Sequence, residues 1–256
     1  MKARSVLIAS AAFVAACSGN VQNDEVVLTE GVASCSVTRG ADVCGFLAES
    51  KLAVRDDIAI VLQRSSMLAM RSHDVLRRAK EACDNIARDL GRETQSSLDP
   101  TPQTLDRSCE SAATALRLEM ATTTLRADII EGSCPRRATG LPPTCASARD
   151  EELGACTPAT MELVGGETSL RARKTLEKNL LTLVNAREEA HQIADAMSGV
   201  LTAGGAQMLK PPHTPRDTAC TIPFSRLTNE SSEDIRAVAT SAARVVAIVQ
   251  RPVTSM

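Results

Sequence analysis

The stretch of residues 46–90, which contains neither glycine nor proline, constrains the fold of this chain more than any other feature. Its apolar or small residues recur at alternating steps of three and four: Val54, Ile58, Val61, Ser65, Leu68, Ser72, Val75, Ala79, Ala82 and Ile86. This spacing is typical of a helix with a coiled-coil-like seam. We therefore expect one long helix, or two helices with a bend near Ser65 and Ser66. Asp42 is the expected cap at its start and Gly91 the residue that ends it.

Three further segments carry helical patterns. Residues 105–131 form the first, with Thr104 as its cap and Gly132 at its end, and residues 168–200 form the second. The last, residues 235–250, follows a serine pair at 231–232 and two acidic residues, which together are typical of a helix start. The patterns predict an all-α, elongated helical bundle with coiled-coil-like seams.

A Cys- and Pro-rich connection near residues 133–157 interrupts these helices. We expect it to be irregular and stapled by disulfides, with one short helix within residues 146–153. Thr157 and Pro158 then begin another expected helical piece, which ends at Gly165 and Gly166.

The composition limits the classes of ligand. The chain has no Trp, no Tyr and only three Phe. Aromatic platforms usually grip sugars, bases and drug-like molecules, so the chain has little with which to build such sites. Its 29 basic and 31 acidic residues leave no excess of positive charge for a nucleic-acid partner.

The N-terminus divides into three zones. Lys2 and Arg4 are basic, residues 5–14 are apolar, and the small residues Ala15 and Ala16 precede Cys17. The apolar run is far too short to span a bilayer, but its length suits a signal peptide. An ordinary signal peptide, cleaved after small residues and followed by an incidental cysteine, is the alternative interpretation.

The residues Val14-Ala15-Ala16-Cys17 resemble the lipobox of bacterial lipoproteins, although Val14 stands where leucine is commoner. The resemblance implies that residues 1–16 are a lipoprotein signal peptide and that Cys17 is acylated and becomes the first mature residue. It implies a membrane anchor by fatty acyl chains such as palmitate. Because Ser18 follows where aspartate commonly means inner-membrane retention, it also implies the cell outer membrane. Residues 17–40 are expected to be a polar tether, and residues 41–256 the helical domain.

The remaining cysteines predict a disulfide framework. Assigning Cys17 to lipid leaves an even set of candidates for disulfides: Cys35, Cys44, Cys83, Cys109, Cys134, Cys145, Cys156 and Cys220. Eight cysteines in an exported chain allow up to four disulfides, in 105 possible connectivities. One pair follows from the helix pattern, because Cys83 and Cys109 lie at the same height if their helices fold back as a hairpin. The chain contains no C-x₂-C spacing, which is the pattern that would indicate a zinc site or thiol redox chemistry.

No motif for chemistry stands out. Glu188 and His191 match half of a di-iron pattern, but the chain offers no second copy. We therefore expect no enzyme, no cofactor and no metal, and predict a structural or protein-interaction role in the envelope, with no nucleic acid bound. A helical protein partner is possible, as is self-association through the residue 54–86 seam. The alternative is an envelope enzyme or metal binder that uses the Cys-rich connection or Glu188 and His191.

Overall fold

Four long helices dominate the computed structural model of this chain, which describes residues 26–27, 35–49, 54–94, 98–122, 125–135, 140–150, 153–165, 170–211 and 214–250. These helices are α2 (Asp56–Asp89), α3 (Pro102–Thr122), α5 (Leu170–Gly199) and α8 (Thr221–Val249). The shorter helices are α1 (Val43–Glu49), α4 (Cys145–Asp150), α6 (Gly205–Met208) and α7 (Pro215–Ala219). Two antiparallel strand pairs complete the described part, β1 (Val26–Val27) with β2 (Ser36–Val37) and β3 (Arg126–Ile130) with β4 (Thr160–Val164).

The expected cap and end of the first helical segment are confirmed, but the segment is not one helix. The Gly45 N–H donates to Asp42 Oδ1 at 2.9 Å, so Asp42 caps α1. Val54 and Arg55 are not helical, and α2 begins only after them. Gly91 then ends α2 with a φ of 77°, a left-handed conformation that glycine adopts without steric cost.

The seam of α2 lies inside the bundle. α2 and α8 each contact the three other long helices, so these two helices form its centre. The apolar seam residues of α2 from Ile58 to Ile86 are almost completely buried against them. The core consists mainly of Leu, Ile, Val and Ala, with several Met and Cys and with Phe224 as its single aromatic residue among those described. Because the chain itself covers this seam, the seam is not the surface for self-association.

The directions of three helices follow from contacts at both ends. Gly204, which follows α5, lies beside both Val61 of α2 and Phe224 of α8. Farther along, Arg78 of α2 bonds Glu189 of α5, so these two helices are antiparallel. Val61 of α2 and Phe224 of α8 thus lie at the same end of the bundle. Farther along both helices, His73 of α2 lies near Asp234 of α8, so α2 and α8 run in the same direction.

The connection from α2 to α3 is a crossover instead of the expected hairpin. The start of α3, at Pro102, shares a cleft with Ala237 of α8, and Glu110 bonds Arg244 farther along both helices. α3 therefore runs in the same direction as α8 and α2. This direction of α3 cannot be read from helix spacing.

Two segments expected to be helical form a strand pair. Residues 126–130 lie in the predicted helix 105–131, and residues 160–164 in the predicted helical piece before Gly165, yet they are β3 and β4. Both expectations were wrong because each segment satisfies its backbone groups with the other, across a pairing from Arg126–Val164 to Ile130–Thr160. The isolated bridge between Ser133 and Thr157 continues the same register.

The last long helix begins well before the residue at which it was expected to start. The start expected at the serine pair lies inside α8, which begins at Thr221. The Ser231 and Ser232 hydroxyls donate to the carbonyls of Leu227 and Thr228 at 2.8 Å, instead of capping. The helix α5 matches its prediction closely and continues into a π-helical turn, Val200–Gly204.

Candidate functional site

The eight cysteines that follow Cys17 form four disulfides in the structure. They pair as Cys35–Cys220, Cys44–Cys145, Cys83–Cys109 and Cys134–Cys156. The Cys83–Cys109 pair is therefore present as predicted, although it joins parallel helices and not a hairpin. The other three pairs were not predictable, because they depend on how distant segments meet.

Each disulfide outside the α2–α3 pair attaches a peripheral segment. Cys44–Cys145 joins α1 to α4, and both short helices contact each other and α2. Cys134–Cys156 cross-links the two ends of the long loop between β3 and β4, next to the Ser133–Thr157 bridge. Cross-links of this kind stabilise a fold by restricting its unfolded chain.

Residues 35–42, named the N-terminal strap, lie along the start of the bundle. Val37 and Ala41 of the strap are fully buried. The Gly40 N–H donates to the Ser66 carbonyl at 3.1 Å, and the Ser66 hydroxyl donates to the Thr38 carbonyl at 2.7 Å. The strap is therefore part of the folded domain, not of the tether expected over residues 17–40.

A charged cluster joins the N-terminal strap to two central helices. Arg39 Nε donates to Glu230 Oε2 at 3.1 Å, and Arg39 Nη1 donates a hydrogen bond to His73 Nδ1 at 2.6 Å. Asp234 Oδ2 lies 3.8 Å from both nitrogens, on a residue that is only 3% exposed. Arg39 therefore contacts one carboxylate directly and lies near a second, which it helps to neutralise inside the protein.

A groove of about 350 Å³ lies between α2, α5 and the Cys-rich connection. Arg71, Arg78, Glu189 and Gln192 supply its polar lining, and Leu153 part of its apolar lining. On one side of the groove, Gln192 joins α5 to the Cys-rich connection, because its Nε2 donates to the backbone carbonyl of Gly154 at 2.9 Å.

Neighbouring carboxylates raise the pKa of two arginines, one on α2 and one on α5. The hydrogen bond to Glu189 raises the pKa of the Arg78 guanidinium above its ordinary value, with burial opposing it. Burial lowers the pKa of Arg187, but bonds and charges from Glu131 and Glu188 outweigh it and raise the pKa overall. Both arginines therefore stay charged throughout the physiological range.

Glu188 and His191, the candidate metal pair, do not face a common site in the structure. His191 is exposed, and Glu188 lies 3.3 Å from Arg187 Nη2, in an ion pair. Across the described ranges, no group of three or more His, Cys, Asp or Glu residues is placed to hold a metal ion. The cysteines of the Cys-rich connection are all in disulfides and present no thiolate.

A second buried charge pair lies near the end of α2. Lys80 Nζ donates to Asp84 Oδ2 at 2.8 Å, and both side chains are almost completely buried. Asp84 also borders a cavity of about 210 Å³ with Arg107 and Leu98. No sequence signal marked this pair beyond its spacing of four residues on one helix face.

The predicted lipidation site, Cys17, and the signal peptide before it lie outside the described residues. Among the helices that the structure describes, none combines the length and the apolar character needed to cross a bilayer. No protein-family model matches the chain, and no curated protein or solved structure resembles it significantly.

Proposed function

We propose that this chain is a lipid-anchored envelope protein, held at the membrane through Cys17, with a structural or protein-interaction role and no catalysis. One observation carries the proposal. The eight other cysteines pair with one another, so the chain has no cysteine left to pair with Cys17. An unpaired cysteine at the end of a signal-like segment fits lipidation, and four disulfides fit an oxidising compartment.

The path of the chain after Cys17 supports a short attachment. Val26 pairs with Val37 of the N-terminal strap, and Cys35 is bonded to Cys220 of the bundle. A fully extended chain advances about 3.3–3.6 Å per residue, so the link from Cys17 to Val26 reaches at most ~32 Å. A domain on such a link stays close to the membrane surface.

The groove between α2 and α5 supports a protein partner over a small aromatic ligand. Its wall carries arginines and carboxylates, and Arg78 and Glu189 already bond each other there. The described residues supply only two aromatic side chains, Phe46 and Phe224, and neither borders the groove. A polar segment of another envelope protein is the ligand that this lining fits best.

The intact mass of the protein, purified from its own membranes under non-reducing, alkylating conditions, tests the proposal. We expect a mass that begins at Cys17, includes acyl chains and carries no alkylated thiol. The Cys17→Ser variant is the control, and it should lose the acyl chains while its alkylation stays at zero.

Two results contradict the proposal. An unlipidated mature mass, or several alkylated cysteines, would show that Cys17 is not the lipid site or that the disulfides do not form. Stoichiometric metal in the same preparation would favour the enzyme or metal-binding role instead.

A further inference from the structure

Three exposed apolar side chains share one end of the bundle, named the anchor end. Leu209 is 78% exposed, Ile222 is 73% exposed, and Leu201 is also exposed. In the part of the chain that the structure describes, only three other large apolar side chains are exposed, and they are Leu98, Leu118 and Ile130. Apolar side chains that gather at one end of a protein mark an interaction surface more often than scattered ones do.

Contacts between helices establish that these residues lie together. Gly204, three residues after Leu201, is beside Val61 at the start of α2 and Phe224 at the start of α8. Arg55, immediately before α2, donates from Nη1 to the carbonyl of Lys210. The end of α5 and the starts of α2 and α8 therefore meet at the anchor end.

The segment of residues 200–226 at the anchor end carries more cations than carboxylates, although the whole chain has a net charge of −2, and the start of α2 adds Arg55 together with Asp56 and Asp57. Residues 200–226 contain three cations, Lys210, Arg216 and Arg226, and one carboxylate, Asp217. Asp217 is almost completely buried, where it caps α7 together with Thr214. Basic side chains near exposed apolar ones are complementary to a surface of anionic lipid headgroups.

The N-terminal chain joins the bundle at this same end. Its first disulfide attaches Cys35 to Cys220, two residues before Ile222 in the sequence. A link that reaches at most ~32 Å from Cys17 to Val26 keeps this end within that distance of a lipid on Cys17. The attachment therefore favours this end as the one that meets the lipid.

We propose that the anchor end rests on the anionic bilayer, with Leu209 and Ile222 in the interfacial layer and Lys210 at the headgroups. This inference rests on the proposed lipid anchor and adds the orientation of the domain to it. The long axis of the bundle then points away from the membrane, and the groove beside Arg78 faces the surrounding space.

Single tryptophans test this orientation, because the natural chain contains no Trp and no Tyr to mask their emission. The variants are Ile222→Trp and Leu209→Trp at the anchor end, with Ile130→Trp as the matched control. Ile130 is 74% exposed, and its neighbour Glu131 bonds Arg187, about 25 Å along α5 from Gly204 at ~1.5 Å per residue. Circular dichroism and thermal unfolding establish that each variant keeps the fold.

The measurement uses the full lipidated protein in vesicles of phosphatidylethanolamine and phosphatidylglycerol, with and without brominated acyl chains that quench nearby tryptophan. We expect both anchor-end tryptophans to emit at shorter wavelength in vesicles and to lose most of their emission to brominated lipid. The tryptophan at position 130 should do neither. Raising the salt concentration should weaken the quenching if the basic side chains contribute.

The outcomes separate the two proposals. Protein that floats with the vesicles but shows no quenching at positions 209 and 222 keeps the lipid anchor and overturns the orientation. Equal quenching at position 130 also overturns it, because the bundle then lies along the surface. Protein without acyl chains that stays out of the vesicle fraction contradicts the anchor, and the orientation with it.

Discussion

Gly132 lies where the backbones of the β3–β4 pair approach each other most closely. A Cβ atom on this residue would be 2.3 Å from the Thr157 carbonyl oxygen and 2.6 Å from the Ala159 nitrogen. Real Cβ atoms do not approach backbone atoms that closely, so any side chain must force the two segments apart. Glycine is required at this position by crowding and not by an unusual φ angle.

Replacing Gly132 by alanine should therefore lower the free energy of unfolding by about 1–3 kcal/mol. Gly140→Ala is the matched control, because a Cβ atom at that position meets no atom within 4 Å. Urea unfolding followed by circular dichroism, with the disulfides intact, measures both variants. If the two midpoints agree with that of the natural protein, the backbone separates at this point without cost.

The serines at 231 and 232 illustrate why residue types alone misplace an element. Serine, with acids after it, is a common helix start, and the sequence therefore predicts one there. A serine hydroxyl can also bond the carbonyl four residues earlier within a helix, and both serines do so. The residues upstream of them decide between the two outcomes, and Thr221–Glu230 are helical.

At the scale of elements, the sequence predicted the long helices better than the strands. Helical spacing is a local signal repeated over many turns, so α5 was found with small errors at its ends, and α2 ends where it was predicted although it begins only after Arg55. The strands β3 and β4 are five residues each and pair across a separation of about thirty residues. Their hydrogen bonds depend on that distant partner, and the sequence of either segment alone does not reveal it.

The ion pair between α2 and α5 should contribute to stability more than ion pairs within one helix do. Arg78 bonds both carboxylate oxygens of Glu189, whereas Arg77 and Glu81 pair along the exposed face of α2. We expect Glu189→Gln to cost about 0.5–1 kcal/mol and Glu81→Gln about 0.3 kcal/mol or less. Chemical unfolding at low and high salt measures the difference, which should shrink as salt screens the partly exposed pair.

The sign of the pH dependence follows from the raised pKa of Arg78. A raised folded-state pKa stabilises the protein below the unfolded pKa, and the effect is lost only as the pH rises through the folded value. Both values lie in the strongly alkaline range for arginine, so the cost of Glu189→Gln should be constant between about pH 6 and about pH 9. A cost that changes within this range contradicts the assignment of the ion pair.

At the scale of the whole molecule, the fold class was predictable but the arrangement of its parts was not. Helical spacing and the even number of cysteines after Cys17 were enough to indicate a disulfide-bonded helical bundle. The direction of α3 and three of the four disulfides were out of reach, because they depend on where the start of α3 packs against α8 and on the docking of short segments. Among the eight cysteines, many connectivities were equally compatible with the sequence.

The groove and the charged cluster at Arg39 were missed for a similar reason. The cluster brings together residues 39, 73, 230 and 234, from three distant segments. The groove wall includes Gln192, whose role depends on the carbonyls of Pro135 and Gly154. Neither site has a spacing within one segment that a sequence pattern could reveal.

The residue after Cys17 should decide in which membrane the whole molecule resides. Under the proposed lipid anchor, and because aspartate at this position commonly retains bacterial lipoproteins at the inner membrane, we expect Ser18→Asp to move the protein from the expected outer membrane to the inner membrane of a diderm cell. Ser36→Asp is the matched control: Ser36 is exposed, and its replacement adds the same charge within the folded domain. Density-gradient separation of the two membranes, followed by immunodetection, measures the distribution of each variant. If Ser18→Asp remains with the outer membrane while its acyl chains are present, Ser18 does not control sorting, and another part of the chain must determine the destination.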